Sequence, residues 1–375
     1  MAEAYDFRAR ATPAIRALTA YDPGHDIPAL RLRFAGHGGL LELGSNENAY
    51  GPSPAVSAVV QSMLPELHRY PDPAGKALKT AIARLHGVRE DQILLGNGSH
   101  ELLMQLAQVF SAPGEGIVVS RYCFAVYPIA AQAAGARLVS ADAFGEQADM
   151  PLGHDLDTLA AAITPATKLV FFANPNNPTG TWFGTEALAA FMAQVPPDVL
   201  VVADEAYIEY VTDPALQSAM ALRARFPNLV VARTFSKAYG LAGLRAGYLV
   251  ADASVVQAME PVRESFNLNA MALAAAEAAL ADAVHLESVR ARNAAERARL
   301  AQALTNLGLT VLPSQTNFLL VRFGPDTAAI EPALFARGVI VRPMAGYGLG
   351  EYLRVTVATP VENDRLLAAV REALA

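Results

Sequence analysis

Cysteine occurs once in the 375 residues, at position 123, and charged residues make up only 17% of the chain. A single cysteine cannot form an internal disulfide, so stability does not require an oxidising compartment and a cytoplasmic location is expected. The 29 basic residues are outnumbered by 36 acidic ones, which gives a net charge of −7. Because no block of Lys or Arg is present, the sequence offers no electrostatic basis for binding nucleic acid or an anionic membrane.

Long apolar runs, leader-like features and metal-binding spacings are also missing. The uncharged stretch 169–185 is interrupted by Asn, Pro and Gly, unlike the ~20 apolar residues of a membrane helix. The first eight residues include acidic ones where a secretory leader is basic, so no leader is expected. The seven histidines show no HExxH or other paired spacing, and we expect no metal site.

What is present is a high apolar content, 53%, in a chain longer than the roughly 250–300 residues at which one core stops growing. Two lobes are therefore expected. Short continuous apolar runs alternate with amphipathic helices, a pattern typical of a parallel sheet covered on both faces. The predicted strands are 93–95, 116–120, 137–140, 168–173, 199–204, 229–234 and 246–250. The fold class is predicted to be α/β, with a mainly parallel seven-stranded sheet.

The composition changes after this region. Residues 270–306 contain neither Gly nor Pro and predict one or two long helices, and shorter strands and helices follow. We therefore expect a large domain over 45–265 and a smaller α+β domain over 266–375. Residues 1–44 are irregular and are expected to form an N-terminal arm or part of the small domain.

Polar segments follow several of the predicted strands, at the edge where parallel sheets bind ligands. Lys237 comes after a buried strand and has Arg245 as its next cation, an environment that lowers the pKa of a lysine and makes it nucleophilic toward a carbonyl. Asp204 ends another apolar strand, where an unpaired carboxylate would cost several kcal/mol. A cationic ring nitrogen of a cofactor would satisfy it.

Four segments together resemble the fold-type I pyridoxal-phosphate (PLP) aminotransferases of class I/II: Asn174-Pro-Asn-Asn-Pro-Thr-Gly180, Ala203-Asp-Glu-Ala-Tyr207, Ser236-Lys-Ala-Tyr-Gly-Leu-Ala-Gly-Leu-Arg-Ala-Gly247 and the late Leu353-Arg-Val-Thr-Val-Ala-Thr359. Within them, the chain is similar to the histidinol-phosphate aminotransferase branch. That similarity rests on Ser45-Asn-Glu-Asn-Ala-Tyr-Gly51, Arg69-Tyr-Pro71 and Arg342-Pro343. The resemblance covers roughly residues 40–375 and implies PLP as cofactor.

The resemblance assigns a catalytic or cofactor role to five residues around the PLP ring. Lys237 holds PLP as an internal aldimine and then moves the substrate proton. Asp204 pairs with the ring nitrogen and keeps the ring an electron sink. Asn177 and Tyr207 hydrogen-bond the phenolic oxygen, and Phe124 stacks on the ring face.

The cofactor phosphate is assigned to donors that surround a helix N-terminus, a position that favours anions. These are Gly98, Ser99, His100, Thr234, Ser236 and Arg245. In the family, the residue that matches Tyr70 reaches the phosphate of the neighbouring subunit. A homodimer with shared active sites is therefore implied.

For the substrate, the resemblance implies that Arg354 binds the α-carboxylate. Arg342 and Tyr50, the latter from the partner subunit, are implied to bind a substrate phosphate, and Asn48 is a further candidate. The reaction implied is ping-pong transamination of L-histidinol phosphate with 2-oxoglutarate, giving imidazole acetol phosphate and L-glutamate. This would place the enzyme in histidine biosynthesis.

Other functions are compatible with parts of the sequence. Paralogues in this branch act on aromatic amino acids, and Phe124, Tyr50, Tyr70 and Tyr347 would suit a phenyl ring, so an aromatic or broad-specificity aminotransferase is an alternative. A PLP decarboxylase of a phosphorylated amino acid would use similar arginines. A PLP-binding regulator is disfavoured because no basic helix-turn-helix segment precedes residue 40. An NAD enzyme is disfavoured because no GxGxxG follows the first strand.

Overall fold

The structure is a computed structural model that describes residues 6–20, 24–35 and 39–375. Its N-terminal elements are α1 (Pro13–Arg16), α2 (Ile27–Arg33), β1 (Leu41–Glu42), α3 (Pro54–Met63) and α4 (Lys76–His86). Helix α3 begins at a proline after Ser53, whose hydroxyl accepts a hydrogen bond from Ala55 N at 3.1 Å. A serine cap followed by proline is a strong helix start, because it satisfies one orphan N–H and fixes φ of the next residue.

A seven-stranded sheet forms the larger lobe. Its elements are β2 (Ile93–Gly96), α5 (Ser99–Phe110), β3 (Gly116–Ser120), α6 (Val126–Ala133), β4 (Arg137–Ala141), α7 (Leu156–Ala161), β5 (Thr167–Ala173), α8 (Thr185–Met192), β6 (Leu200–Asp204), β7 (Leu229–Thr234), β8 (Gly247–Val250) and α9 (Ala253–Met259). The strand order is β2-β8-β7-β6-β5-β3-β4, and only β8 runs antiparallel to its neighbours. The predicted fold class and the mainly parallel sheet are confirmed.

Both faces of this sheet are covered, which explains the continuous apolar runs. In β5, Phe171 packs into the core beneath α5 and α6, whereas Phe172 packs into the opposite core beneath α7 and α8. Both side chains are fully buried. Because each buried aromatic contributes about 1.5–3 kcal/mol, successive apolar residues stabilise the strand from both sides.

The carboxyl ends of the parallel strands place the polar segments side by side. Strand β5 ends at Ala173 before the Asn174 turn, β6 ends at Asp204, and β7 ends at Thr234, three residues before Lys237. The antiparallel β8 starts at the same edge, two residues after Arg245. This edge is therefore where the sheet can hold a ligand.

Helix α10 (Ala270–Ala281) and the smaller lobe follow. The elements of the smaller lobe are α11 (Ala283–Asn306), β9 (Thr310–Val311), β10 (Phe318–Arg322), α12 (Thr327–Ala336), β11 (Val339–Ile340), β12 (Arg342–Pro343), β13 (Tyr352–Thr356) and α13 (Pro360–Leu374). An antiparallel sheet has the order β12-β13-β10-β9, and β1 pairs in parallel with β11. Eight short 3-10 helices complete the described elements: Phe7–Arg10, Leu64–Glu66, Glu90–Gln92, Ile208–Tyr210, Ala219–Leu222, Ala242–Leu244, Glu260–Val262 and Ala345–Tyr347.

The packing of helix α10 indicates where the boundary between the two lobes lies. Ala272 and Ala276 of α10 lie in one core cluster with Val56 of α3 and Ile82 of α4. Helix α10 therefore packs with the large lobe, although it follows residue 265. We propose a boundary at Asp282, which ends α10 and caps α11 by accepting a hydrogen bond from His285 N. Leu41 and Leu43 pack in the small-lobe core, so we assign residues 39–44 to that lobe.

Two structural findings concern membranes and metals. None of the helices in the described ranges combines the length and apolar character needed to cross a bilayer. Over the same ranges, no group of three or more His, Cys, Asp or Glu side chains is placed to hold a metal ion.

Candidate active site

A cavity of ≈ 260 Å³ opens between the carboxyl edge of the large sheet and the small lobe. It brings together most of the residues that the sequence predicted. Its lining comprises Gly44, Ser45, Asn46, Ser99, His100, Phe124, Ala173, Asn177, Asp204, Ala206, Tyr207, Thr234, Ser236, Lys237, Ala242, Arg245, Arg342 and Arg354.

Lys237 extends into this cavity from the loop after β7. Its Nζ donates to the carbonyl oxygens of Ser45 at 3.2 Å and Asn46 at 3.3 Å. Burial, followed by the positive charge of Arg354, lowers the pKa of the Lys237 amine to about 8. A neutral amine is therefore accessible near physiological pH, as a nucleophile for a carbonyl requires.

Asp204 is a buried acidic residue of the cavity lining. It is 3% exposed, and its Oδ2 accepts a hydrogen bond of 3.0 Å from Tyr127 Oη, while Oδ1 accepts one of 3.1 Å from Ala206 N. Burial raises the pKa of Asp204 to about 6. No described residue forms a salt bridge with this carboxylate, so the site fits a ligand that brings a protonated nitrogen.

Asn177 and Tyr207 are held in place by neighbouring side chains. Asn46 Nδ2 donates to Tyr207 Oη at 2.9 Å, and Arg354 Nη1 donates to Asn177 Oδ1 at 2.6 Å. The Tyr207 ring meets Phe318 edge-on, with centroids 5.3 Å apart. The amide and the hydroxyl thus face the cavity with fixed orientations, as hydrogen-bonding groups for one ligand atom must.

Thr234, Ser236 and Arg245 form a cluster of donors at one end of the cavity. Thr234 Oγ1 and Ser236 Oγ are 3.1 Å apart, and Arg245 Nη1 donates to Ser236 Oγ at 3.4 Å. Arg245 itself has a left-handed backbone conformation, with φ +59°, and it lines the cavity. Two hydroxyls and a guanidinium at such spacing suit a phosphate.

Helix α5 adds its N-terminus to the same cluster. It begins at Ser99 after Gly98, which has φ +81°. A Cβ at position 98 would come within 2.6 Å of Arg245 Nη2, so a larger residue there would make the guanidinium move away from the helix start. His100 lines the cavity, and burial, followed by the charge of Arg245, lowers the pKa of its imidazole. Phe124 lines the cavity beside these groups.

Arg342 and Arg354 face the large lobe from the small-lobe sheet. They are directly opposed residues of β12 and β13. Like charges placed opposite one another in antiparallel strands repel and destabilise the pair. Arg354 is 8% exposed, and its Nε is buried without a hydrogen-bond partner among the described residues. The pair therefore suits a ligand with two negative charges.

Four predicted residues lie outside the cavity lining. Gly98 adjoins it, as described above. Tyr70 is 82% exposed and stacks on Phe266 with centroids 4.6 Å apart. Asn48 supports a turn, because its Nδ2 donates to Ala238 O and its Oδ1 accepts from Tyr50 N. The Tyr50 hydroxyl is buried in its own chain and lies outside the cavity, so its substrate role stays a prediction.

Two residues that position the site were not among the predicted ones. Asn46 binds Tyr207 through its side chain and Lys237 through its carbonyl oxygen, and it has φ +56°, a conformation that asparagine tolerates better than most residues. Tyr127 binds Asp204. Asn46 could have been found from its place beside Asn48 in the same motif, and Tyr127 from its distance of three residues from Phe124.

The sheet topology and the lysine–aspartate site define a class of enzymes. The model of the family "Aminotransferase class I and II" matches residues 39–370, and the chain belongs to this family. Histidinol-phosphate aminotransferase 2 of Pseudomonas aeruginosa is 46% identical over 373 residues, which cover 99% of each chain. Histidinol-phosphate aminotransferase 1 of Thiobacillus denitrificans is 46% identical over 98% of this chain and 94% of its own.

Solved structures agree with this assignment. The histidinol-phosphate aminotransferase of Sinorhizobium meliloti, in complex with pyridoxal-5'-phosphate, superposes with a TM-score of 0.85, at 34% identity and 98% coverage of both chains. The aspartate aminotransferase of Thermus thermophilus with maleate gives a TM-score of 0.82 at 23% identity, covering 99% of this chain and 100% of that one. The second likeness concerns the fold alone.

Proposed function

We propose that this chain is a PLP-dependent aminotransferase that transfers the amino group of L-histidinol phosphate to 2-oxoglutarate, giving imidazole acetol phosphate and L-glutamate. The observation that carries the proposal is one cavity that is lined by Lys237, whose pKa is lowered, by the buried carboxylate of Asp204 and by the opposed pair Arg342 and Arg354. The curated relatives quoted above bear the same activity in their names.

The residues fit PLP through their chemistry. Asp204 would pair with the ring nitrogen, and Asn177 and Tyr207 would hydrogen-bond the phenolic oxygen. Phe124 would pack on the ring face. The phosphate would be held by Thr234, Ser236, Arg245 and the first N–H groups of α5, Ser99 and His100. When bound, PLP supplies the electron sink that stabilises the negative charge left by loss of the substrate α-proton.

The protein contributes the remaining steps. Lys237, once free of the cofactor, would be the base that takes the α-proton from the substrate and delivers it to the cofactor carbon bonded to the same nitrogen. Arg354 and Arg342 orient the substrate through its phosphate, or through the two carboxylates of 2-oxoglutarate, because each guanidinium can form paired hydrogen bonds with such anions. One pair of arginines thereby serves both half-reactions of a ping-pong cycle.

A homodimer is part of the proposal. Leu64, Leu67 and Tyr70 are each more than half exposed, and Phe266 stacks on Tyr70. A second copy of the chain would cover this apolar surface and bring Tyr70 to the partner's cofactor phosphate. Sedimentation of the holoenzyme as a monomer at micromolar concentration would contradict this. A cytoplasmic location is likewise proposed, because the lone Cys123 is buried and the fold needs no disulfide.

The test is a product assay on purified holoenzyme. We expect glutamate and imidazole acetol phosphate to form from L-histidinol phosphate and 2-oxoglutarate, with kcat/KM at least tenfold above that for L-phenylalanine. A tenfold preference for phenylalanine would instead establish the aromatic aminotransferase. Release of CO₂ from a phosphorylated amino acid without 2-oxoglutarate would establish the decarboxylase.

A further inference from the structure

A second cavity, of ≈ 330 Å³, adjoins the active-site cavity on the small-lobe side. Its lining comprises Gly24, His25, Ile27, Glu42, Gly44, Ser45, Glu331, Ile340, Val341, Arg342 and Pro343. Gly44, Ser45 and Arg342 line both cavities. A substrate whose anionic end is bound at Arg342 would therefore have room for another substituent on the far side of these three residues.

Glu42 is a half-buried acidic residue in the wall of this second cavity. Its Oε1 accepts hydrogen bonds from Gly44 N at 2.8 Å and Ser45 Oγ at 3.2 Å. Its Oε2 is buried and has no hydrogen-bond partner among the described residues. A carboxylate oxygen withdrawn from water and left unbonded costs free energy that a ligand N–H would recover.

The carboxylate is also close to the reacting amine. Ser45 connects the two, since its hydroxyl binds Glu42 while its carbonyl oxygen accepts the hydrogen bond from Lys237 Nζ. The charge of Glu47, and less strongly that of Glu42, opposes the lowering of the Lys237 pKa that burial causes. Glu42 is therefore connected to the reacting amine through one intervening residue, Ser45.

We propose that Glu42 is a specificity-determining residue that accepts an N–H hydrogen bond from a nitrogen-containing ring, an imidazole, of the amino donor. This inference rests on the proposed function and deepens it by naming the group that selects the donor's ring. An ionised carboxylate can only accept hydrogen bonds, and imidazole presents an N–H in either protonation state. A phenyl ring has no donor and would leave Oε2 buried and unbonded.

In this proposal, the anionic group and the ring of the donor are recognised by different residues. Arg342 and Arg354 bind negative charge and do not distinguish one phosphorylated amino alcohol from another. Glu42 distinguishes the rings, because a site built to bind an N–H rejects the analogue that lacks it more strongly than it rejects a change of size. Donor selection thus resides in a residue that has no role in binding the cofactor.

The experiment uses two donors that differ only in the ring, L-histidinol phosphate and L-phenylalaninol phosphate, with PLP-loaded enzyme. For Glu42→Leu we expect kcat/KM for histidinol phosphate to fall at least about tenfold, while that for phenylalaninol phosphate stays within about twofold or rises. In Glu42→Gln, kcat/KM for histidinol phosphate should fall less, because the amide keeps the size of the side chain and can form a hydrogen bond with a neutral imidazole.

The control variant is Glu47→Gln, which removes an exposed carboxylate that lines neither cavity. It should leave the ratio of the two kcat/KM values unchanged. Thermal stability and PLP absorbance of each variant report whether the turn at Gly44 is intact.

The outcomes separate the two hypotheses. One outcome is that wild-type enzyme uses histidinol phosphate while Glu42→Leu and Glu42→Gln lower kcat/KM equally for both donors. In that case Glu42 only supports the turn, and the specificity role is wrong. If wild-type enzyme does not use histidinol phosphate at all, the proposed function fails and the inference fails with it.

Discussion

The Tyr127 hydroxyl donates a hydrogen bond of 3.0 Å to Oδ2 of Asp204, at the buried end of the active-site cavity. Both side chains are at most 3% exposed, so water does not compete for this bond. The bond stabilises the ionised carboxylate and opposes the rise in the pKa of Asp204 that burial causes. Because we propose that Asp204 pairs with the cofactor ring, Tyr127 would act through Asp204 as a positioning residue.

Replacing Tyr127 by Phe removes this hydrogen bond and little else. We expect kcat to fall about tenfold, since a hydrogen bond to a charged group contributes roughly 1.5–3 kcal/mol. The pKa of Asp204 should rise, so activity should be lost at a higher pH on the acid side of the kcat profile. Tyr210→Phe, at another buried tyrosine outside the cavity lining, is the control. An unchanged acid limb in Tyr127→Phe would contradict the role.

The lowered pKa of Lys237 predicts a pH-dependent stability in the apoenzyme. The folded protein holds the pKa of this amine at about 8, below its ordinary 10.5, because burial disfavours the charge. Below pH 8 the protonated lysine therefore costs stability, and the cost disappears as pH rises toward 10.5. Lys237→Met should be more stable than wild-type apoenzyme at pH 7, by about 1 kcal/mol given that the side chain is only half-buried.

Denaturant unfolding of both apoenzymes at pH 7 and pH 10 measures this difference, which should shrink at the higher pH. Lys168→Met, at a half-buried lysine of β5 that pairs with Glu115, is the matched control. Lys237→Met should also abolish transamination. Covalent attachment of PLP after borohydride reduction should also be lost from the peptide that contains position 237.

Gly98 and Gly114 provide a matched pair for testing whether the donor cluster of Thr234, Ser236 and Arg245 holds the cofactor phosphate. Both have positive φ, +81° and +94°, so alanine at either should cost about 1–3 kcal/mol of stability. Only at position 98 would the added Cβ meet Arg245, whereas nothing lies within 4 Å at position 114. We expect Gly98→Ala to weaken PLP binding at least tenfold and Gly114→Ala to leave it unchanged, measured by equilibrium titration of PLP. Equal PLP affinities would contradict the proposed importance of the close approach of Arg245 to Gly98 for phosphate binding.

The large-lobe sheet could be predicted because most of its strands are continuous apolar runs that are recognisable from the local sequence. Phe171 and Phe172 are both apolar because both sheet faces are buried, and Asp204 interrupts such a run where a ligand site begins. The position of the Tyr50 hydroxyl depends instead on packing against residues far along the chain, which no local pattern encodes. Helix α10 shows the same limit, since an alanine-rich segment can pack with either lobe and its partners are α3 and α4.

Arg342 and Arg354 should differ in their effects on kinetics, because Arg354 is hydrogen-bonded to a group that we assign to the cofactor. Arg354 donates to Asn177 Oδ1 at 2.6 Å and to Gly44 O at 2.7 Å, so it positions a group that we assign to the cofactor as well as the substrate. Lysine keeps the charge but cannot form the paired hydrogen bonds of a guanidinium. Arg342→Lys should therefore raise KM for 2-oxoglutarate about tenfold with little change in kcat, since one bidentate contact is lost.

Arg354→Lys should raise the same KM and also lower kcat, because Asn177 loses its partner. Arg322→Lys, on the exposed side of the small-lobe sheet in a salt bridge with Glu351, should change neither parameter. Steady-state kinetics with 2-oxoglutarate as the varied substrate measure all three variants. A fall in kcat for Arg342→Lys equal to that for Arg354→Lys would contradict this division, because it would mean that both arginines support the cofactor and that charge on β12 is not reserved for the substrate.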